Sequence, residues 1–125
     1  MLQAFGAFLT EFVRDLNHRS EDGWTLLVEG KRDVKALRGL GFTGGIATIS
    51  SFSRLGWRAF NGSRRVIILT DLDREGGTLA ARSVKRLSHE GLAHSLAERR
   101  RLKVASRGVF LHIENLSRFA EPAVQ

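Results

Sequence analysis

The chain's 125 residues give room for one domain, and 42% hydrophobic with 26% charged residues place it among globular chains and away from disordered ones. The absence of cysteine excludes disulfides, iron–sulfur clusters, thiolate zinc sites and cysteine nucleophiles, and the absence of tyrosine removes the usual nucleophile of enzymes that hold a broken DNA strand covalently. Twenty Lys and Arg against 13 Asp and Glu leave a net charge of +7 and a pI near 11.2, which suits either a polyanionic partner or a solvated basic surface.

Leu2, Phe5, Phe8, Leu9, Phe12, Val13 and Leu16 recur at helical spacing and predict an amphipathic helix over residues 2–19. Residues 1–22 are therefore read as an added N-terminal helix that covers the domain proper, residues 23–125. No basic segment or small-residue cleavage site precedes Glu11, so no signal peptide is expected. The longest apolar run, Val66 to Leu69, is far short of the roughly 18–20 residues of a membrane span, and the expected location is the cytoplasm.

After the polar turn Ser20-Glu21-Asp22-Gly23, Trp24 to Val28 predicts a buried strand that stops at Glu29-Gly30. A helix from Arg32 to Leu40, closed by Gly39 and Gly41, leads to a short strand at Ile46 to Ile49 and a short helix from Phe52 to Phe60. Val66 to Thr70 is the most strand-like run, a continuous β-branched stretch of the kind buried on both faces of a parallel sheet, and it ends in Asp71-Leu72-Asp73. A helix from Glu75 to Glu90, a short segment at 92–94 that either adds an edge strand or stays outside the sheet, a helix from Ser95 to Val104 and a last strand from Val109 to Ile113 complete the reading. Strands alternating with helices predict a compact α/β fold with a mainly parallel four-stranded sheet. Such sheets bind ligands beyond the carboxyl ends of their strands, and two acidic motifs stand at two such ends.

Asp71 and Asp73, two residues apart, point to the same side if the chain stays extended, and Glu75 extends the set. Three neighbouring carboxylates repel one another and are stabilised most simply by a divalent cation. All-oxygen ligands suit Mg²⁺ or Mn²⁺, with positions left open for a phosphodiester. The alternative is local: either Asp caps the following helix and Glu75 favours its dipole. Glu29, ending a different strand, is the candidate general acid or base. Lys31 and Arg74 on the same rim are candidate phosphate contacts or plain surface charges, and Arg32 is the weaker candidate. Asp33 reads as a first-turn acid, or as a group that orients Lys31 or the metal's surroundings.

Val28-Glu29-Gly30-Lys31-Arg32-Asp33, followed downstream by Thr70-Asp71-Leu72-Asp73-Arg74-Glu75-Gly76, resembles the two signature motifs of the Toprim domain. That domain is shared by type IA topoisomerases, topoisomerase II, bacterial primases, OLD-family nucleases and the small maturases of 5S ribosomal RNA. The Asp-Leu-Asp-Arg-Glu-Gly run is most similar to type IA topoisomerases. The Glu-Gly-Lys-x-Asp run, with the late Ile113-Glu114-Asn115-Leu116 segment, is closer to the maturases and to short stand-alone archaeal Toprim proteins. The resemblance covers residues 24–118. It implies a Rossmann-like Toprim fold, Glu29 as general acid/base, Asp71 and Asp73 as Mg²⁺ ligands, and Glu75 as a further ligand. Without tyrosine a stand-alone topoisomerase is excluded, and primer synthesis needs regions for which there is no room.

Arg82, Lys85, Arg86, Arg99, Arg100, Arg101, Lys103 and Arg107 form either a track for a phosphate backbone or a solvated helix face. Trp57 and Phe60 are expected to pack, with base stacking as the alternative. Glu114 either completes a second metal site or serves as a first-turn acid. His18, His89, His94 and His112 have no zinc spacing and are read as solvated or packed. Gly76-Gly77 offers backbone N–H groups to a phosphate.

The function expected is Mg²⁺-dependent hydrolysis of RNA or DNA phosphodiesters, as in a nuclease or an RNA-processing enzyme. A module that docks nucleic acid or a protein partner without cutting is the alternative. A haloacid-dehalogenase-like phosphatase is disfavoured, because Glu75 stands where that family has Thr or Val.

Overall fold

The two most apolar runs of the chain lie side by side at the centre of a four-stranded parallel sheet in the computed structural model, which describes residues 2–108 and 111–119. In chain order the elements are α1 (Leu2–Glu21), β1 (Trp24–Val28), α2 (Lys31–Gly39), β2 (Ile46–Thr48) and α3 (Ile49–Leu55), followed by a 3-10 turn (Gly56–Phe60). Then come β3 (Arg65–Ile68), α4 (Arg74–His89), β4 (Ala93–Ser95), α5 (Ala97–Ser106) and a terminal 3-10 helix (Ile113–Phe119). The strand order is β2-β1-β3-β4, with Val28 opposite Thr48 and Leu27 opposite Ile68.

Because side chains alternate across a strand, the two central strands feed two separate cores. Leu26, Val28, Ile67 and Leu69 pack with Leu9, Phe12, Val13 and Leu16 of α1, Leu37 of α2, Leu102 of α5 and Ile113 and Leu116 of the terminal segment. Leu27, Val66 and Ile68 face the other way, onto Phe52, Phe60, Ala80 and Leu87 from α3, the 3-10 turn and α4. The predicted amphipathic helix is thus a wall of one core, with Leu9, Phe12 and Leu16 each 1% exposed. Burying one such side chain is worth about 1.5–3 kcal/mol. Glycine is needed where α4 ends: Gly91 takes φ +74 while the Leu92 N–H turns back to the Leu87 carbonyl.

Three predicted elements differ: the helix expected from Phe52 to Phe60 is α-helical only from Ile49 to Leu55 and continues as a 3-10 turn to Phe60. Ile49 opens α3 instead of ending β2, because Thr48 Oγ1 accepts the Ser51 N–H at 3.3 Å and caps the helix. The expected last strand is not formed at Leu111 and His112, and Ile113 begins a 3-10 helix; positions 109 and 110 lie outside the described residues. The backbone groups that a strand would use are taken by the loop after β3: the Leu72 N–H donates to the Leu111 carbonyl at 2.7 Å and the Ile113 N–H to Asp71 Oδ1 at 2.8 Å. Among the described residues no helix is long and apolar enough to cross a membrane.

Candidate functional site

Since β1 and β3 are paired in parallel, their carboxyl ends deliver Glu29 and Asp71 to neighbouring positions. Glu29 Oε2 accepts the Asp71 backbone N–H at 2.8 Å. Beyond β3 the chain bends at Leu72, which enters the core at 2% exposure, while Asp71 and Asp73 on either side of it remain partly accessible and both reach toward His112. The two carboxylates lie on one side of this loop.

His112 approaches that side from the terminal segment. Its Nδ1 lies 3.3 Å from Asp71 Oδ2 and 3.8 Å from Asp73 Oδ2. Asp73 combines the two roles left open by its sequence: Oδ1 caps α4 by accepting the Gly76 N–H at 2.7 Å, and Oδ2 faces the cluster. One ligand atom each from Asp71, Asp73 and His112 falls within a 4.8 Å span.

The loop carrying the carboxylates is fixed from both sides. Thr70 Oγ1 donates to the Gly76 carbonyl at 2.7 Å, and Arg99 donates through Nε to the Thr70 carbonyl at 3.2 Å and through Nη2 to the Asp71 carbonyl at 2.5 Å. Gly76 is required by this closeness, since a Cβ there would fall on the Asp71 carbonyl oxygen.

Electrostatics separate the carboxylates. Burial pushes the Glu29 carboxyl above its ordinary value, with the Asp71 N–H opposing the shift and the charges of Asp71, Asp33 and Asp73 adding to it. Burial likewise raises Asp33, whose Oδ2 accepts the Gly30 N–H at 2.9 Å at the start of α2. His112 is raised above its ordinary value, first by its hydrogen bond to Asp71. Burial lowers the Arg99 guanidinium against the pull of Asp73, Glu29 and Asp71. One oxygen each from Asp71 and Asp73 and a ring nitrogen of His112, all within 4.8 Å of one another, make a donor set able to hold a divalent cation.

No family model matches the chain. It is 32% identical over 111 residues to a UPF0292 protein of Archaeoglobus fulgidus, covering 89% of this chain and 88% of that one. The chain belongs to the UPF0292 family. A second UPF0292 protein, from Methanosarcina barkeri, is 33% identical over 110 residues, covering 86% of this chain and 77% of its own length. The solved structure of a putative protein from Aquifex aeolicus has the same fold, with a TM-score of 0.71 at 27% identity, covering 84% of this chain and 94% of that one.

The other predicted site residues of this UPF0292 chain are distributed as follows. Glu75 is exposed in the first turn of α4, outside the Asp71/Asp73/His112 group. Lys31 begins α2, Arg74 begins α4 and Arg82 lies further along α4, all three exposed. Glu114 is a first-turn acid of the terminal 3-10 helix and lies 3.9 Å from Arg32, so the second-metal reading gains no partner among the described residues. The N–H groups of Gly76 and Gly77 are spent on Asp73 Oδ1 and the Asp73 carbonyl, which withdraws them from any phosphate.

Three members of the basic run have partners within the chain. Arg86 pairs with Glu90 at 3.0 Å and sits over the Phe52 ring, Arg101 pairs with Asp15 at 2.7 Å over Phe8 and Phe12, and Arg99 holds the Asp71 loop. Phe60 is buried as expected, but Trp57 is 50% exposed, with Arg58 over its ring. His112 and Arg99 are the site residues missed from sequence. His112 sat in a stretch read as a strand, and Arg99 was one cation among many.

Proposed function

We propose that this protein is a Toprim-type, metal-dependent hydrolase of nucleic acid phosphodiesters. The observation that carries the reading is the meeting of Glu29 with Asp71 at the ends of two adjacent strands, beside Asp73 and His112. The order of the two acidic motifs and the pI near 11.2 support it. Asp71 and Asp73, with His112, would hold Mg²⁺ or Mn²⁺, and Glu75 is the further ligand implied by the Toprim resemblance. When bound, the ion supplies Lewis-acid polarisation of the phosphoryl group.

Glu29 carries the proton. A carboxyl raised by burial and by three neighbouring acids is a better base than an ordinary glutamate, and when protonated it can give that proton to the departing oxygen. The Asp71 N–H orients the carboxyl, and Arg99 holds the Asp71 backbone in turn. Lys31, Arg74 and Arg82 contact phosphate oxygens of the substrate strand.

Labelled structured RNA, single-stranded RNA and single-stranded DNA, incubated with Mg²⁺, Mn²⁺ or EDTA, test this directly. Cleavage that requires the metal and is lost in Asp71→Asn and Glu29→Gln supports it. Cleavage that survives EDTA and both substitutions refutes the mechanism, and tight binding without cleavage under any condition points to a docking module.

A further inference from the structure

The cleft between the start of α2 and the start of α3 has a volume of about 490 Å³ and is lined by Gly30, Lys31, Thr48, Ser50, Ser51 and Arg54. Its lining offers two cations and three hydroxyls and no carboxylate, which is the chemistry of an oxyanion site. We propose that this cleft binds a phosphate group, that of the nucleotide neighbouring the one at the candidate metal centre. The assignment of the phosphate to a nucleic acid strand rests on the function proposed above; the anion site itself does not.

Three observations converge. The cations are uncommitted: Lys31 and Arg54 are exposed and have no ion pair among the described residues, whereas Arg19, Arg32, Arg86 and Arg101 each lie beside an acid. The hydroxyls are gathered, since Thr48 Oγ1 lies 3.1 Å from Ser51 Oγ and 3.4 Å from Ser50 Oγ. The position is also right. Thr48 stands opposite Val28 in the β1–β2 register, so the cleft opens at the sheet end that presents Glu29, and Gly30 is the residue after it. Asp71 flanks Glu29 from β3, on the opposite side of β1. With strands about 4.8 Å apart, the cleft and the metal centre are roughly 10 Å from each other, a distance one strand crosses within a nucleotide or two.

The test has two arms. In the first, inorganic phosphate is titrated into ¹⁵N-labelled protein. The amide signals of residue 31, Ser50 and Ser51 should shift in the wild type, and those of Ser50 and Ser51 should stay still in Lys31→Ala/Arg54→Ala, whose dispersed spectrum shows that it is folded. In the second, fluorescein-labelled 12-mers of dT and rU are bound in EDTA. The double variant should bind at least tenfold more weakly, and its slope of log K against log salt should fall by about 1, as for one to two lost phosphate contacts on a single strand. Arg14→Ala, the loss of an exposed charge on α1, serves as the control.

Phosphate shifts without oligonucleotide binding support the cleft as a site for a free phosphate ester and sink the nucleic acid reading. Metal-dependent cleavage with no phosphate shifts, and a double variant no weaker than the control, keep the hydrolase and overturn the cleft.

Discussion

Glu29 Oε2 and the Asp71 backbone N–H, 42 residues apart in sequence, are joined by a 2.8 Å hydrogen bond that ties the end of β1 to the end of β3. The same carboxyl is the proposed proton carrier, so its structural and chemical roles can be separated by choice of substitution. Glu29→Gln keeps an oxygen acceptor for the Asp71 N–H and loses the titratable proton. It should melt close to the wild type yet cleave 10²–10⁴-fold more slowly in single-turnover assays. Glu29→Ala should lose both, with a stability deficit of about 1–3 kcal/mol if the N–H is left unsatisfied. A Gln variant that cleaves at the wild-type rate removes Glu29 from the chemistry.

Gly76 decides whether Asp71 can be where it is. At the third position of α4, alanine would ordinarily help a helix by about 1 kcal/mol, but its Cβ would fall on the Asp71 carbonyl oxygen, and backbone does not yield as a flexible side chain does. The clash wins. Gly76→Ala should lose about 2 kcal/mol in urea unfolding and bind Mn²⁺ more weakly, because the displaced loop carries both aspartates. Gly77→Ala, where the nearest atom to a Cβ is an Arg99 nitrogen at 3.9 Å, is the tolerant comparison.

Much of this arrangement was legible in the sequence, and the limits have physical reasons. Apolar runs of four or five residues ending abruptly in acids marked β1 and β3, and parallel pairing then leaves those acids adjacent. Spacing could not say that Asp73 would be both a cap and a cluster member, because a carboxylate has two oxygens and the sequence shows one residue. His112 was hidden for a different reason. Leu111, His112 and Ile113 have the alternation of a strand, and only the tertiary hydrogen bonds from Leu72 and to Asp71 draw them off the sheet. Charge alone does not reveal which guanidinium groups have acids, rings or carbonyls waiting, as Arg86, Arg99 and Arg101 do.

Arg101 shows what such a cation does instead. It bridges α5 to α1, with Nη1 on Asp15 and its guanidinium 5.3 Å and 5.5 Å from the Phe8 and Phe12 ring centres. Both partners of the ion pair are about half exposed, so the pair and the ring contacts together are worth about 1 kcal/mol. Arg101→Ala should lower thermal stability by that amount, and Arg101→Lys should recover only part of it, because an ammonium cannot lie flat on two rings while forking to a carboxylate. Oligonucleotide affinity should match that of Arg14→Ala; a markedly larger loss would restore Arg101 to the phosphate track.

Asp33 should leave a signature in the pH dependence of stability. Its native carboxyl is raised above the ordinary value of 3.8, by burial first, so between 3.8 and the raised value the folded chain holds more proton than the unfolded one. The group's contribution to stability therefore falls as pH rises through that window, and its full cost is carried above it. Asp33→Asn keeps an acceptor for the Gly30 N–H and removes the charge. Measured by urea unfolding in EDTA, the variant should gain on the wild type from pH 3.5 to pH 7, and a difference constant with pH would show that Asp33 ionises as freely folded as unfolded.

The nitrogen of His112 gives the proposed metal centre a test that does not depend on turnover. Mg²⁺ is satisfied by carboxylate and water oxygens, whereas Mn²⁺ gains from an imidazole, so the two ions should respond unequally when the imidazole is removed. His112→Ala should weaken Mn²⁺ binding roughly tenfold by calorimetry, the size of effect seen when a metal site loses a supporting group, and should change Mg²⁺ binding much less. Pulsed electron paramagnetic resonance of the Mn²⁺-loaded protein should show a ¹⁴N coupling that disappears in the variant, while Asp71→Asn abolishes binding of both ions. Mn²⁺ bound with no nitrogen coupling would leave Asp71 and Asp73 as an all-oxygen site, with His112 only their neighbour.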